Sequence, residues 1–107
     1  MPKTGFRLWV RRTRRCHVCG ARNPDPHHVR HVGLGGTKDP HAVDERNVVP
    51  LCRRHHTAGG DSVHVLGKRT FAEHHGLGPL EDTAVLLWFD WLHLTPAERE
   101  SWEAECA

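Results

Sequence analysis

Two short spacings carry the clearest chemistry in this sequence: Cys16-x-x-Cys19 and Cys52-x-x-His55. Thiolate and imidazole are the ligands zinc takes, and a pair two residues apart lets one turn supply two of the four tetrahedral positions. With 32 residues between them, the two pairs make up a Cys3His set for a structural zinc. His17 and His31 are alternative fourth donors, and Cys106, close to the carboxyl terminus, is left out of the site.

Four further histidines stand beside this set without being needed by it: His27, His28, His56 and His64. Neighbouring residues on a strand point to opposite faces, so His27 and His28 cannot both bind one metal from a regular strand. An imidazole with an ordinary pKa of about 6.5 is partly neutral near physiological pH, so either ring can accept a proton from water or donate a lone pair to a cation. His27 and His28 should therefore have different jobs.

The order of these groups resembles the HNH endonuclease family: a Cys-x-x-Cys, a histidine pair, then Asn47-Val48-Val49-Pro50-Leu51-Cys52-x-x-His55-His56. The resemblance covers residues 16–76. It implies a ββα-metal core, treble-clef-like, with one catalytic metal beside a structural zinc. It also implies His28 as general base, Asn47 as the asparagine that orients it, and His27 and His56 as catalytic-metal ligands. In the all-histidine subset of that family the third ligand usually follows one helical turn after the second. Here Gly60 occupies that position, and the next histidine is His64, reached if Gly59-Gly60 forms a small insertion. The implied reaction is metal-dependent hydrolysis of DNA, leaving 5′-phosphate and 3′-hydroxyl ends. Imidazole ligands suit Zn2+, Ni2+ or Mn2+ better than Mg2+, and all four stay open. Small proteins of this layout resemble those of bacteriophages, so packaging or recombination proteins are expected partners. The competing reading is a zinc-dependent nucleic-acid-binding module without catalysis.

Charge agrees with a polyanionic substrate. The formal net charge of +2 conceals residues 1–56, with 12 Lys/Arg against 4 Asp/Glu, and residues 57–107, with 3 against 9. A basic half of this kind suits the phosphate backbone. Arg11, Arg12, Arg14, Arg15, Arg30, Arg53 and Arg54 are the expected contacts, neutralising phosphates without reading bases.

The elements that must position these groups form a small α+β domain whose limited apolar content, 37% of 107 residues, calls for a metal staple. Residues 3–15 read as a short strand or arm ahead of a basic run, so 1–15 is taken as a basic arm, 16–76 as the core and 77–107 as a helical extension. Strands are expected over 27–32 and 47–52, with Pro50 confining the second to an edge. A glycine-rich loop spans 33–39. A helix should start near Cys52 and break at Gly59-Gly60, and another should run over 68–75 with Gly76 capping it. Leu80, Ala84, Leu87, Trp88, Trp91 and Leu92 recur at helical spacing, and Thr95-Pro96-Ala97-Glu98 is a capping box opening a helix over 96–105. The longest apolar run, 84–89, is far short of the roughly 20 residues of a membrane span, and no secretory signal is evident. A cytoplasmic location, in the bacterial host if phage-encoded, and no membrane partner are expected.

Overall fold

The computed structural model describes residues 5–29 and 47–106, the last by its backbone alone. Arg30, His31 and the glycine-rich loop lie outside the described residues. The fold is α+β: α1 (Phe6–Thr13), β1 (Asp25–His28), β2 (Val48–Leu51), a π-helical turn (Arg54–Ala58), α2 (Val63–Leu66), α3 (Lys68–His74), α4 (Leu80–Leu92) and α5 (Pro96–Cys106).

β1 and β2 pair antiparallel in a two-stranded sheet, with Asp25 opposite Leu51, Pro26 opposite Pro50, His27 opposite Val49 and His28 opposite Val48. Antiparallel ladders alternate hydrogen-bonded and non-bonded pairs. Two facing prolines have no N–H to exchange, which fixes that pair as non-bonded. The carbonyl of Pro50 accordingly turns outward and accepts from His17 N at 2.9 Å, tying the Cys16–Cys19 segment to the sheet.

β2 is buried along its whole length and feeds two apolar clusters by side-chain alternation. Val49 and Leu51 join Cys16, Val29, Val63, Phe71, Ala72, Leu80 and Ala84. Val48 joins Phe6, Trp9, Val10, Leu87 and Trp91. α4 spans both, its first half in one cluster and its second half in the other. Leu92, expected on the buried face, is exposed, because only the stripe through Leu80, Ala84, Leu87 and Trp91 faces inward.

Residues 3–15 are not a strand or an extended arm where they are described. Phe6, Trp9 and Val10 recur at i, i+3 and i+4, and that stripe is the buried face of helix α1. The run Phe-Arg-Leu-Trp-Val suggests a strand only when its period is ignored. The first strand also begins earlier than expected, at Asp25, and Val29 N still donates to Asn47 O beyond its end. α3 ends as anticipated at Gly76, whose φ of +68° favours glycine. The capping box of α5 is formed: Glu98 N donates to Thr95 Oγ1 at 3.1 Å and Thr95 N to Glu98 Oε1 at 3.2 Å. No helix among the described residues is long and apolar enough to cross a membrane.

Candidate metal centres

The first centre is assembled from two tight turns. Gly20 N donates to Cys16 O at 2.9 Å, closing the turn that carries Cys16 and Cys19, and Gly20 adopts the left-handed conformation needed to leave it. Cys52 and His55 come from the junction of β2 with the π-helical turn. Cys16, Cys19, Cys52 and His55 converge so that all four donor atoms lie within 4.8 Å of one another. Cys19 Sγ lies 3.7 Å from Cys52 Sγ, Cys16 Sγ 3.8 Å from His55 Nδ1 and Cys52 Sγ 3.2 Å from His55 Nδ1. A tetrahedral zinc with Zn–S bonds of about 2.3 Å would hold its sulfurs about 3.8 Å apart. These residues could therefore hold a metal, and none of the three cysteines is in a disulfide.

The electrostatics of the four differ. Burial pushes the Cys16 thiol up, but hydrogen bonds from the backbone at Cys52, Cys19 and Val18 outweigh it and bring the thiol below its usual value. Burial and the neighbouring sulfurs push Cys52 up. Burial lowers His55, keeping its ring neutral and able to donate a lone pair. Of the alternative fourth donors, His17 turns its Nε2 to Thr83 Oγ1 of α4 at 3.3 Å.

The second centre is built from three elements. His27 projects from β1, His56 from the π-helical turn and His64 from α2, and one nitrogen of each lies within 4.8 Å of the others. Ring centroids are 5.0 Å apart for His27 and His56, 4.8 Å for His56 and His64, and 5.7 Å for His27 and His64. His27 is buried, His56 half-buried and His64 exposed, so the cluster opens to solvent on one side.

The route to His64 is local. Gly59 N donates to Arg54 O at 2.8 Å, the wider closure of a π turn. Gly59 and Gly60 then lead to Ser62, which is fully buried and caps α2 by accepting from Val65 N at 3.4 Å. Buried Val63 anchors this single-turn helix, leaving His64 to face His56. The Gly59-Gly60 segment thus brings His64 beside His27 and His56.

His28 follows His27 on β1 and is half-buried. Asn47 accepts from Val29 N through its carbonyl, while its side-chain Nδ2 is buried with no hydrogen-bond partner among the described residues.

Asp25, which is not among the residues singled out from the sequence, reaches this centre too. It shares a face of β1 with His27, two residues on. Its Oδ2 lies 3.0 Å from His56 Nδ1 and 3.1 Å from Arg53 Nε, and its Oδ1 is 3.6 Å from Arg11 Nη2. Burial raises its carboxyl, but the hydrogen bond from His56 and the charge of Arg53 prevail and hold it below the usual carboxylate range. An Asp two residues before a histidine on a strand was the available signal.

The expected phosphate contacts divide. Arg53 and Arg54 are exposed at the rim, paired with Asp25 and, at 3.9 Å, with Asp61. Arg11 is half-exposed on α1, and Arg15 reaches Gly20 O at 3.4 Å. Arg12 pairs with Glu105 of α5, and Arg14 stacks 4.6 Å over Trp9 while pairing with Asp90 of α4 at 3.2 Å. Part of the basic half is therefore neutralised by the acidic helices. Arg30 lies outside the described residues.

A family model described as "Putative HNHc nuclease" matches residues 2–83, from before α1 into the first turn of α4. No curated protein and no solved structure matches the chain.

Proposed function

This chain belongs to the HNHc nuclease family, and on that premise we propose that it is a divalent-metal-dependent endonuclease hydrolysing DNA phosphodiester bonds. The observation that carries this reading is the convergence of His27, His56 and His64, which no structural zinc requires. The order of two antiparallel strands followed by a helical turn supports a ββα-metal core.

Three imidazoles leave coordination positions open. A divalent ion held there, Zn2+, Ni2+, Mn2+ or Mg2+, would neutralise charge developing on the phosphate. His28, adjacent to the ligand His27, accepts a proton from water as its oxygen bonds to phosphorus. The bond from phosphorus to the 3′-oxygen breaks and that oxygen takes a proton from solvent water, leaving 5′-phosphate and 3′-hydroxyl ends. Asn47 steadies the end of β1 through its carbonyl contact with Val29, one residue beyond His28. Exposed Arg53 and Arg54, with Arg11 and Arg15, hold the backbone of the substrate without reading bases. Cys16, Cys19, Cys52 and His55 bind a structural zinc.

Supercoiled plasmid incubated with zinc-loaded protein and each added cation tests the reading. Wild type should nick or cut, His28→Ala should slow cleavage by about 10^2- to 10^4-fold, the range a general base contributes, and His56→Ala should abolish it. Cleavage unchanged in both variants would sink the mechanism. DNA binding without any metal-dependent cleavage would leave the non-catalytic module as the function.

A further inference from the structure

The tetrapeptide Arg53-Arg54-His55-His56 distributes its side chains in an interleaved way. Arg53 and His56 meet Asp25, whereas Arg54 meets Asp61, which clusters with His55 and His75. Each candidate metal centre thus has a carboxylate behind one of its histidines. Of these two carboxylates, Asp25 is within side-chain hydrogen-bond distance of its histidine, 3.0 Å from Oδ2 to His56 Nδ1, whereas Asp61 Oδ2 lies 3.8 Å from His75 Nε2.

An ionised carboxylate can only accept hydrogen bonds. Facing Asp25, His56 Nδ1 must therefore carry the ring proton, and the lone pair is then on Nε2. That nitrogen is the one left to meet His27 and His64, since Nδ1 is engaged. A carboxylate behind a ligating histidine fixes its tautomer and its ring plane, and raises its basicity. We propose that Asp25 is a positioning residue, which orients His56 and fixes its tautomer so that Nε2 is presented to the metal held by His27, His56 and His64. The inference rests on the reading of that triad as a metal site.

Two features of the strand make Asp25 suited to this task. Its place two residues before His27 sets both side chains on one face, so a single strand supplies a ligand and the brace for a ligand from another element. Its Oδ1 lies 3.6 Å from Arg11 Nη2, and Arg53 Nε meets Oδ2 at 3.1 Å beside His56, so two guanidinium charges balance the carboxylate.

The test uses full-length protein with its structural zinc loaded, titrated with Ni2+ alone by calorimetry. The comparison is wild type, Asp25→Asn, Asp25→Ala and His56→Ala. Loss of a carboxylate of this kind costs about 10- to 100-fold in metal affinity. Asp25→Ala should lie in that range, and Asp25→Asn, which keeps a neutral acceptor, should fall between it and wild type. Nitrogen-15 spectra of the imidazoles supply the second readout: His56 should be the Nδ1-protonated tautomer in wild type and a mixture in Asp25→Ala. If His56→Ala abolishes Ni2+ binding but Asp25→Asn and Asp25→Ala stay within twofold of wild type, or the His56 tautomer is unchanged, the Asp25 proposal is overturned while the site stands. If His56→Ala still binds Ni2+ at wild-type affinity, the triad reading fails and this proposal with it. Should Asp25→Ala not fold, Asp25→Asn decides by the same two measurements.

Discussion

His55 and His56 are neighbours in the chain, yet their rings belong to different centres. His55 Nδ1 lies 3.2 Å from Cys52 Sγ, and the ring of His56 lies 4.8 Å from that of His64. Successive residues on a helical turn diverge by roughly a quarter of a revolution. That divergence alone lets one short turn supply the last donor of a Cys3His set and the middle donor of a histidine triad.

Removing the first centre should destabilise the chain. Cys19→Ser is expected to lose one equivalent of bound zinc by elemental analysis. Because zinc binding in such small domains is folding free energy, the unfolding midpoint should fall by about 15 °C or more, as a loss of about 3 kcal/mol implies at this size. Chelation of wild type should reproduce the effect. An unchanged midpoint with unchanged zinc content would rule out the structural site.

The amino-terminal helix should behave as core. Phe6 is fully buried against Trp88 and Trp91, with an edge-on contact to Trp88 at 5.1 Å between ring centroids. Phe6→Ala is expected to cost about 3–5 kcal/mol in urea unfolding. A Cβ added at Gly5 would lie 2.6 Å from the backbone of Trp102 and Glu103, so Gly5→Ala should also destabilise, by about 1–3 kcal/mol, through displacement of α5. A dispensable basic arm would tolerate both changes.

Two adjacent glycines should respond differently. A Cβ at Gly59 would meet Arg54 O at 2.9 Å, whereas nothing lies within 4 Å of one at Gly60. Gly59→Ala should widen the turn that carries Asp61 and His64, weakening Ni2+ binding at the triad by calorimetry and lowering stability by about 1–3 kcal/mol. Gly60→Ala should leave Ni2+ binding as in wild type.

Acid should weaken the fold partly through His17. Burial lowers this ring below its ordinary value of 6.5. The unfolded chain therefore binds the proton more readily than the folded one. Neutral His17 contributes stability above about pH 6.5, and that contribution is lost as pH falls from there through the lower folded value. In urea unfolding at fixed zinc, the stability difference between wild type and His17→Gln should shrink on going from pH 7.5 to 5.5. A constant difference would show that His17 does not titrate with folding.

The sequence by itself determined whatever depends on short spacing. Cys16-x-x-Cys19 and Cys52-x-x-His55 are held by single turns, so their pairing was legible before any fold was known. The Thr95–Glu98 cap and the glycine end of α3 were legible for the same reason. The α1 stripe of Phe6, Trp9 and Val10 was present in the sequence but obscured, because a contiguous run of aromatic and β-branched residues imitates a strand. Tertiary structure alone decided the rest. His64 lies eight residues from His56, and no helical register joins them; only the π closure at Gly59 and the buried anchors Ser62 and Val63 turn it back. Asp25 meets His56 across 31 positions of chain, through a strand register that places it opposite Leu51, just before the turn that carries His56. Arg12 and Arg14 pair with Glu105 and Asp90 because α1 packs beside α4 and α5. Spacing specifies contacts within a turn, where covalent geometry leaves few choices, and contacts between turns depend on how the two apolar clusters close.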